Sequence, residues 1–289
     1  MLEVQGLYKK LEGFLLQNVN IKLPKGYIMG LIGENGAGKT TLLHLILDLY
    51  QPTEGLIRIN GMTYEKQEKE IRNILGYVSV DDIFSGEMKL IEQADMYGSY
   101  YDNYDRTAFL NYSSRFQLDV KKKYKKLSKG EKLKFQFAFA LAHRPKLLLL
   151  DEPAASFDPE FREEFTKILT DFVADGEKSV LLATHMTAEL DRIADYVTFL
   201  HHGEVRFSVK RGELEEKYRL VTGEDYKVNL INPARVIHKE KGKYATVALV
   251  QHTNHSFYSK ELEVTVPMLE DIMYHLIKGE KKVGGRYGI

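Results

Sequence analysis

Gly33-Glu34-Asn35-Gly36-Ala37-Gly38-Lys39-Thr40 is the stretch on which the reading of this chain turns. It fills every fixed position of G-x-x-x-x-G-K-[ST], a loop whose successive backbone N–H groups face phosphate oxygens. Glycines let the backbone wrap closely, and the helix N-terminus that follows adds a positive field. Lys39 brings a point charge to the β- and γ-phosphates, and the Thr40 hydroxyl can ligate Mg²⁺. The flanks are the required ones. Tyr27–Ile32 reads as a strand entering the loop, and Lys39–Tyr50 as a helix leaving it, with Leu42, Leu43, Leu45, Ile46 and Leu49 at helical spacing. Gly33, Asn35, Gly36, Ala37, Gly38, Lys39, Thr40 and Thr41 are therefore the candidate nucleotide contacts.

Working outward, Leu2–Val4 and Gln17–Leu23 read as strands, and Pro24-Lys25-Gly26 as the turn before Tyr27. Gln51–Gly55 ends the helix, and Leu56–Ile59 is a further strand. From about Gly86 to Lys126 tyrosine and aspartate become dense and strand signals vanish, which predicts an inserted helical subdomain. Lys129–His143 is a helix with Phe135, Phe139 and Ala142 on one side, stopped by Pro145. Leu147–Leu150 is a continuous apolar run of the buried parallel type. Helices at Phe161–Ala174 and Ala188–Ala194 alternate with strands at Ser179–Ala183 and Tyr196–Leu200. Such alternation predicts an α/β fold with a parallel sheet, and the hairpins around the first strand–loop–helix–strand unit add antiparallel β material.

Beyond Arg211 the periodicity weakens. Val228–Ile231, Tyr244–Val250 and Leu262–Val266 are expected strands, Pro267–Ile277 a helix, and Val283–Ile289 a loose tail. The expected division is 1–212 for the main domain, with its helical subdomain at about 86–130, and 213–289 for an α+β extension.

The second chemical element is Asp151-Glu152, which ends the Leu147–Leu150 strand. Ligands of open α/β sheets bind at the C-terminal strand edge. Asp151 is the candidate Mg²⁺ ligand with Thr40, and Glu152 the residue that orients and polarises an attacking water.

Composition sets limits. The chain has 289 residues, 41 Lys+Arg against 41 Asp+Glu, and no cysteine. Zero net charge gives no chain-wide footprint for nucleic acid, and the missing cysteines exclude disulfides, thiolate metal sites and a cysteine nucleophile. Apolar stretches fall short of the roughly 18 residues that a membrane helix needs. The N-terminus has no signal-peptide pattern. The expectation is a soluble protein that another chain would anchor to any membrane.

Together these motifs resemble the ATP-binding cassette (ABC) ATPases, over about Leu2–Gly212. Asp151-Glu152-Pro153 followed by Asp158-Pro159 is similar to the family's magnesium strand, catalytic glutamate and D-loop. Ala183-Thr184-His185 is similar to its switch-histidine strand. The resemblance thus makes Glu152 and His185 catalytic, with ATP and Mg²⁺ as nucleotide and ion. Leu127-Ser128-Lys129-Gly130-Glu131 stands where the family has Leu-Ser-Gly-Gly-Gln, a loop that caps ATP held by a second subunit. Ser128 and Gly130 keep the hydroxyl and the backbone N–H for that contact. Ser128 with Glu131 is also a capping box.

Lys129 and Glu131 depart from that signature, and two further positions depart from the family pattern. Val80 aligns with the family's Q-loop glutamine, with Asp81 and Asp82 as possible substitutes. Leu11 stands where an adenine-stacking aromatic is expected. Phe14 and Tyr8 are its nearest replacements, and either serves the core equally well. Lys121–Lys126 reads as a solvated face, or as a site for nucleic acid or anionic lipid. The tyrosines from Tyr97 to Tyr112 suit either a docking surface or helix packing, and His201-His202 ends a strand.

The resemblance implies an ATP-hydrolysing transporter subunit on the cytoplasmic face of the cell membrane. Its implied partners are separate membrane-spanning permease subunits and a second cassette, identical or not. Val266–Ile272, the Ser-Lys-Gly variant and Gly176–Val180 are similar to a Gram-positive branch of ABC-2-type exporters. That branch includes exporters of phenol-soluble modulins and antibiotic-efflux systems, which implies an amphipathic peptide or antimicrobial substrate. A weakly hydrolysing regulatory module is a second reading, motivated by Val80. A third is an ABC protein acting on ribosomes or DNA, opposed by the single cassette and zero net charge. No Asn-Lys-x-Asp guanine reader is present.

Overall fold

The computed structural model describes residues 1–253 and 258–283. In chain order the elements begin with β1 (Leu2–Leu11), β2 (Phe14–Leu23), β3 (Ile28–Ile32), α1 (Lys39–Ile46), β4 (Glu54–Ile59), α2 (Tyr64–Ile74) and β5 (Leu75–Ser79). There follow α3 (Leu90–Gly98), α4 (Arg106–Arg115), α5 (Lys129–Ala142), β6 (Leu147–Asp151), α6 (Pro159–Val173), β7 (Ser179–Thr184), α7 (Thr187–Ile193), β8 (Tyr196–His201) and β9 (Glu204–Lys210). The remainder is α8 (Arg211–Lys217), β10 (Tyr218–Gly223), α9 (Asp225–Val228), β11 (Val236–Lys241), β12 (Thr246–Gln251), β13 (Glu263–Thr265) and α10 (Leu269–Val283). One compact unit comprises Met1–Met186 and Tyr196–Ser208, and a second Thr187–Asp195 with Val209–Ile289.

The first unit is built on a six-stranded sheet in the order β5-β6-β7-β3-β8-β9. The β5/β6, β6/β7, β7/β3 and β3/β8 pairs are parallel. β3, β6 and β7 are buried at every residue. This is why their sequences are unbroken apolar runs rather than alternating ones. A three-stranded antiparallel sheet, β2-β1-β4, joins its apolar face to the same core, pairing Leu2 with Leu23 and with Ile59. The predicted α/β core with antiparallel material is thus observed, as are helices in the Gly86–Lys126 insertion.

α5 is packed by aromatic rings, edge-on at Phe84 and stacked at Phe116. Phe135, Phe137 and Phe139 meet Phe84, Phe116 and Phe165 at centroid distances of 4.9–5.7 Å. Tyr97 and Tyr101 join this packing through Phe84 and Phe139, whereas Tyr100 is 75% exposed.

Four local expectations need correction. α1 stops at Ile46, not Tyr50, because Asp48 adopts φ +60° and turns the chain. No element was read between Ile59 and Gly86, where α2 and β5 stand. Val228–Ile231 is not a strand. Val228 ends the short helix α9 and is buried, Leu230 is 81% exposed, and N–H groups of Leu230 and Ile231 bond back to Lys227 and Val228 as turns. α10 starts at Leu269 and runs longer than Pro267–Ile277. The tail after Val283 lies outside the described residues.

The second unit carries the antiparallel sheet β11-β12-β10-β13. Beneath α10, His238 and His275 are buried with their Nδ1 atoms 2.9 Å apart. Tyr274 donates to Glu240 alongside. Burial, and then the facing His238, hold the His275 imidazole below its ordinary value, with Asp271 and Glu240 pulling weakly the other way. The unfolded chain therefore takes up this proton before the folded one does, so folding loses stability as pH drops below about 6.5. Amide protection of α10 and β11 is expected to fall between about pH 7.5 and about pH 5, and His275→Phe to flatten that dependence. Exchange measured by mass spectrometry at both pH values checks it.

Candidate functional site

The phosphate-binding loop closes on its own lysine. Lys39 is 6% exposed, and its Nζ donates to Gly33 O at 2.7 Å and to Glu34 O at 3.3 Å. Glu152 Oε1 stands 3.3 Å from the same ammonium as an ion pair, without hydrogen-bond geometry. A buried ammonium is tolerable only with partners of this kind. Gly38 begins α1 at φ +107°, a conformation that side chains rarely adopt. A Cβ there would also lie 2.6 Å from Phe14 Cζ. Phe14 thus braces the loop as well as standing at its rim.

Asp151 ends β6, and Thr40 Oγ1 donates to its Oδ2 at 2.7 Å. Its Oδ1 is buried and has no hydrogen-bond partner among the described residues. Burial pushes the carboxyl above its ordinary value, while the Thr40 bond opposes that rise. A half-satisfied carboxylate beside a hydroxyl fits a hard divalent cation, which would neutralise the charge and engage the orphaned oxygen. Mg²⁺ typically takes only one or two protein ligands and completes its shell with water and phosphate.

Glu152 follows at φ +50°, a left-handed position unusual for glutamate. Its amide donates to Ala183 O at 2.9 Å, which ties it to the neighbouring β7. Its Oε2 lies 2.8 Å from His185 Nδ1 and accepts the His185 backbone N–H at 3.3 Å. The Thr184 hydroxyl accepts from Met186 N–H at 2.9 Å and shapes the turn that carries His185.

A cavity of about 380 Å³ opens here. Asn35, Gly36, Gly38, Lys39, Thr40, Thr41, Asp151 and Glu152 line it, with Leu11, Glu12, Glu34 and Phe14. Gly33 and Ala37 do not. A Cβ on Gly33 would collide with Leu200 O, and Ala37 is buried with its carbonyl accepting Gly203 N–H at 3.0 Å. Tyr8 lies in β1 opposite Glu54 and does not line the cavity. Between the two aromatic replacements, the geometry favours Phe14.

Ser128 and Gly130 also lie outside this cavity. Ser128 caps α5, accepting Glu131 N–H at 3.2 Å, while Glu131 Oε2 accepts Ser128 N–H at 2.8 Å. Lys122 takes the other Glu131 oxygen at 3.1 Å. The Ser128 amide, then burial acting against it, then Lys122 set the Glu131 carboxyl, with a net fall below its ordinary value. The charge of Glu131 is thus spent within its own turn. Gly130 is fixed by packing, since a Cβ would meet Ser156 O at 2.7 Å. Asp158 caps α6 through Phe161 N–H at 2.8 Å and pairs with Lys134.

Val80 is 55% exposed, Asp82 is committed to Lys132 at 2.8 Å, and neither Asp81 nor Asp82 lines the cavity. Within the basic run Lys123 and Lys125 share the one carboxylate of Glu87, and Lys122 pairs with Glu131. Sequence reasoning missed two features. One is the Lys39–Glu152 ion pair. The other is Gln136, whose signal is a lone polar residue within Phe135-Gln136-Phe137. A second cavity of about 580 Å³, lined by Tyr97, Tyr100, Tyr101, Phe84, Phe139 and His143 among others, lies in the same unit.

The sequence profile of the ABC transporter family matches residues 16–155. The ABC transporter ATP-binding protein YtrB of Bacillus subtilis is 31% identical over 232 residues, covering 80% of this chain and 79% of that protein. The chain belongs to the ABC transporter family, as one of its ATPases. Among other relatives, the lantibiotic transport ATP-binding protein SrtF of Streptococcus pyogenes is 30% identical, covering 71% of this chain and 89% of its own. The bacitracin transport ATP-binding protein BcrA of Enterococcus faecalis is 27% identical, covering 77% and 73%. A solved ATP-binding subunit of an ABC transporter superposes with a TM-score of 0.70 at 26% identity, over 74% of this chain and 92% of that one. The phosphate-binding loop of this ABC ATPase, its β6 strand and Ser128 all fall inside the matched span.

Removing the Glu131 side chain should cost about 1 kcal/mol of stability through loss of the capping box. It should leave nucleotide binding to the isolated chain unchanged. Urea unfolding and a nucleotide titration of Glu131→Ala check both halves.

Proposed function

We propose that this ABC ATPase is the energy-converting subunit of an exporter, working as a sandwich of two cassettes on the cytoplasmic face of a membrane. One observation carries the reading. A single cavity gathers the loop lysine, the half-satisfied Asp151 carboxylate and Glu152, whose carboxylate meets His185 from outside the lining, while Ser128 and Gly130 also stand outside it. A second cassette supplying its own Ser128 and Gly130 would complete the site. Among the described residues no helix is long and apolar enough to cross a membrane. The membrane-spanning part is therefore assigned to separate permease subunits, with the tyrosine-lined cavity as their place of contact.

In this reading Lys39 leaves Glu152 for the β- and γ-phosphates. Backbone N–H groups of residues 33–40 hold the remaining phosphate oxygens. Thr40 and Asp151 would hold Mg²⁺, which when bound spreads the charge developing on the phosphates. Glu152, released from the lysine, orients a water toward the γ-phosphate, and His185 fixes the Glu152 carboxylate from the other side. Positioning and charge supply most of the acceleration in such transfers.

The substrate class is read by analogy with the relatives named for bacitracin and lantibiotic transport. We assign an amphipathic peptide or antimicrobial compound, the class to which phenol-soluble modulins also belong. Glu152→Gln is expected to bind Mg-ATP as the wild type does and to lower phosphate release by roughly 10²-fold or more. Phosphate release and a binding isotherm on the same preparation test this. Hydrolysis at the wild-type rate would remove Glu152 from the mechanism.

A further inference from the structure

Gln136 is 2% exposed on α5, between two buried phenylalanines. A primary amide in such a place is costly unless both its ends are bonded. Its Oε1 accepts Ser79 N–H at 2.9 Å, and its Nε2 donates to Asp81 O at 3.3 Å and approaches the Tyr124 hydroxyl at 3.4 Å. One turn earlier on the same helix face, Lys132 Nζ reaches both Asp82 oxygens at 2.8 Å. Lys132 also lies over the Tyr124 ring, 5.1 Å from its centroid. Two side chains of α5 therefore grip the chain on both sides of Val80. The gripped segment begins at Ser79, which is registered against Asp151 in the neighbouring strand. One turn before Lys132, α5 begins at the Ser128 cap.

We propose that Gln136 is a positioning residue for ATP hydrolysis, tying the segment Ser79–Asp82 beside Asp151 to the helix that starts at Ser128. Val80 offers no polar group at the position where the family pattern has an amide. Gln136 supplies an amide from the helix instead, acting on the backbone and not on the nucleotide. A displacement of the Ser128 end of α5 is then felt at the Asp151 strand end without any side chain at residue 80 taking part. This inference rests on the hydrolytic reading of the Asp151–Glu152 site.

Gln136→Met keeps the side-chain length and apolar packing while removing both hydrogen-bonding groups. In the full-length protein, exchange of the Ser79 amide should quicken by about tenfold or more. The kcat for ATP hydrolysis should fall about fivefold, with the Kd for Mg-ATP held within about twofold. Lys132→Met, on a partly exposed face, loosens the same segment without opening the core. It should show the same split at about twofold in kcat, and carries the test should Gln136→Met not fold. Unchanged Ser79 exchange in Gln136→Met would overturn the tether. Faster exchange with unchanged kcat, or a parallel loss of kcat and binding, would overturn its part in hydrolysis. A wild-type chain that binds Mg-ATP without hydrolysing it would count against the hydrolytic reading, while Ser79 exchange still reports on the tether.

Discussion

A single ammonium, Lys39 Nζ, holds the loop around itself. Gly33 O and Glu34 O bend inward to reach it, and Glu152 faces it across the C-terminal edge of the sheet. The surrounding architecture makes that geometry possible. β3 delivers the loop, and β6 and β7 deliver Asp151 and His185 at the same level, because all three strands are parallel and in register. Their apolar residues bury the strands on both faces, so the polar groups can emerge only at the ends. Burial of such strands stabilises the sheet by about 25 cal/mol per Å² of apolar surface. The buried ammonium finds a countercharge in Glu152. In the proposed cycle nucleotide phosphates take over that role and free the carboxylate.

α5 is the second organising element. Its N-terminus is closed by the Ser128–Glu131 capping box, its middle carries Lys132 and Gln136 toward the segment around Val80, and its aromatic face packs into the unit's core. A helix held at so many points moves as a rigid body when it moves at all. In the proposed cycle this is how the Ser-Lys-Gly loop and Val80 would be compatible with hydrolysis. The contacts that matter are made by the helix as a whole.

The phosphate-binding loop, the Asp151–Glu152 strand end and the buried strands were legible because each signal is local: glycines at fixed spacing, or a run of Leu and Val closed by carboxylates. β11 was not legible. Its sequence Val-Ile-His-Lys-Glu-Lys is only half covered and gives neither alternation nor a continuous apolar run. α9 was misread because Val228 and Ile231 have the apolarity of a strand, while Val228 closes a short helix and packs against residues of β10 and β12. Gln136 was missed, because its acceptor role depends on Ser79, which lies 57 residues away in sequence. Phe14 could be placed near the nucleotide by sequence, but its contact with Gly38 needed the antiparallel sheet to be folded against the loop.

The most direct test of the central claim, that a second cassette completes the Lys39–Asp151–Glu152 site, is light scattering of purified Glu152→Gln protein with and without Mg-ATP. The account predicts a nucleotide-dependent shift from monomer to dimer, abolished when Ser128 is replaced by a bulky residue. A protein that binds Mg-ATP at full stoichiometry and stays monomeric at all concentrations would contradict it.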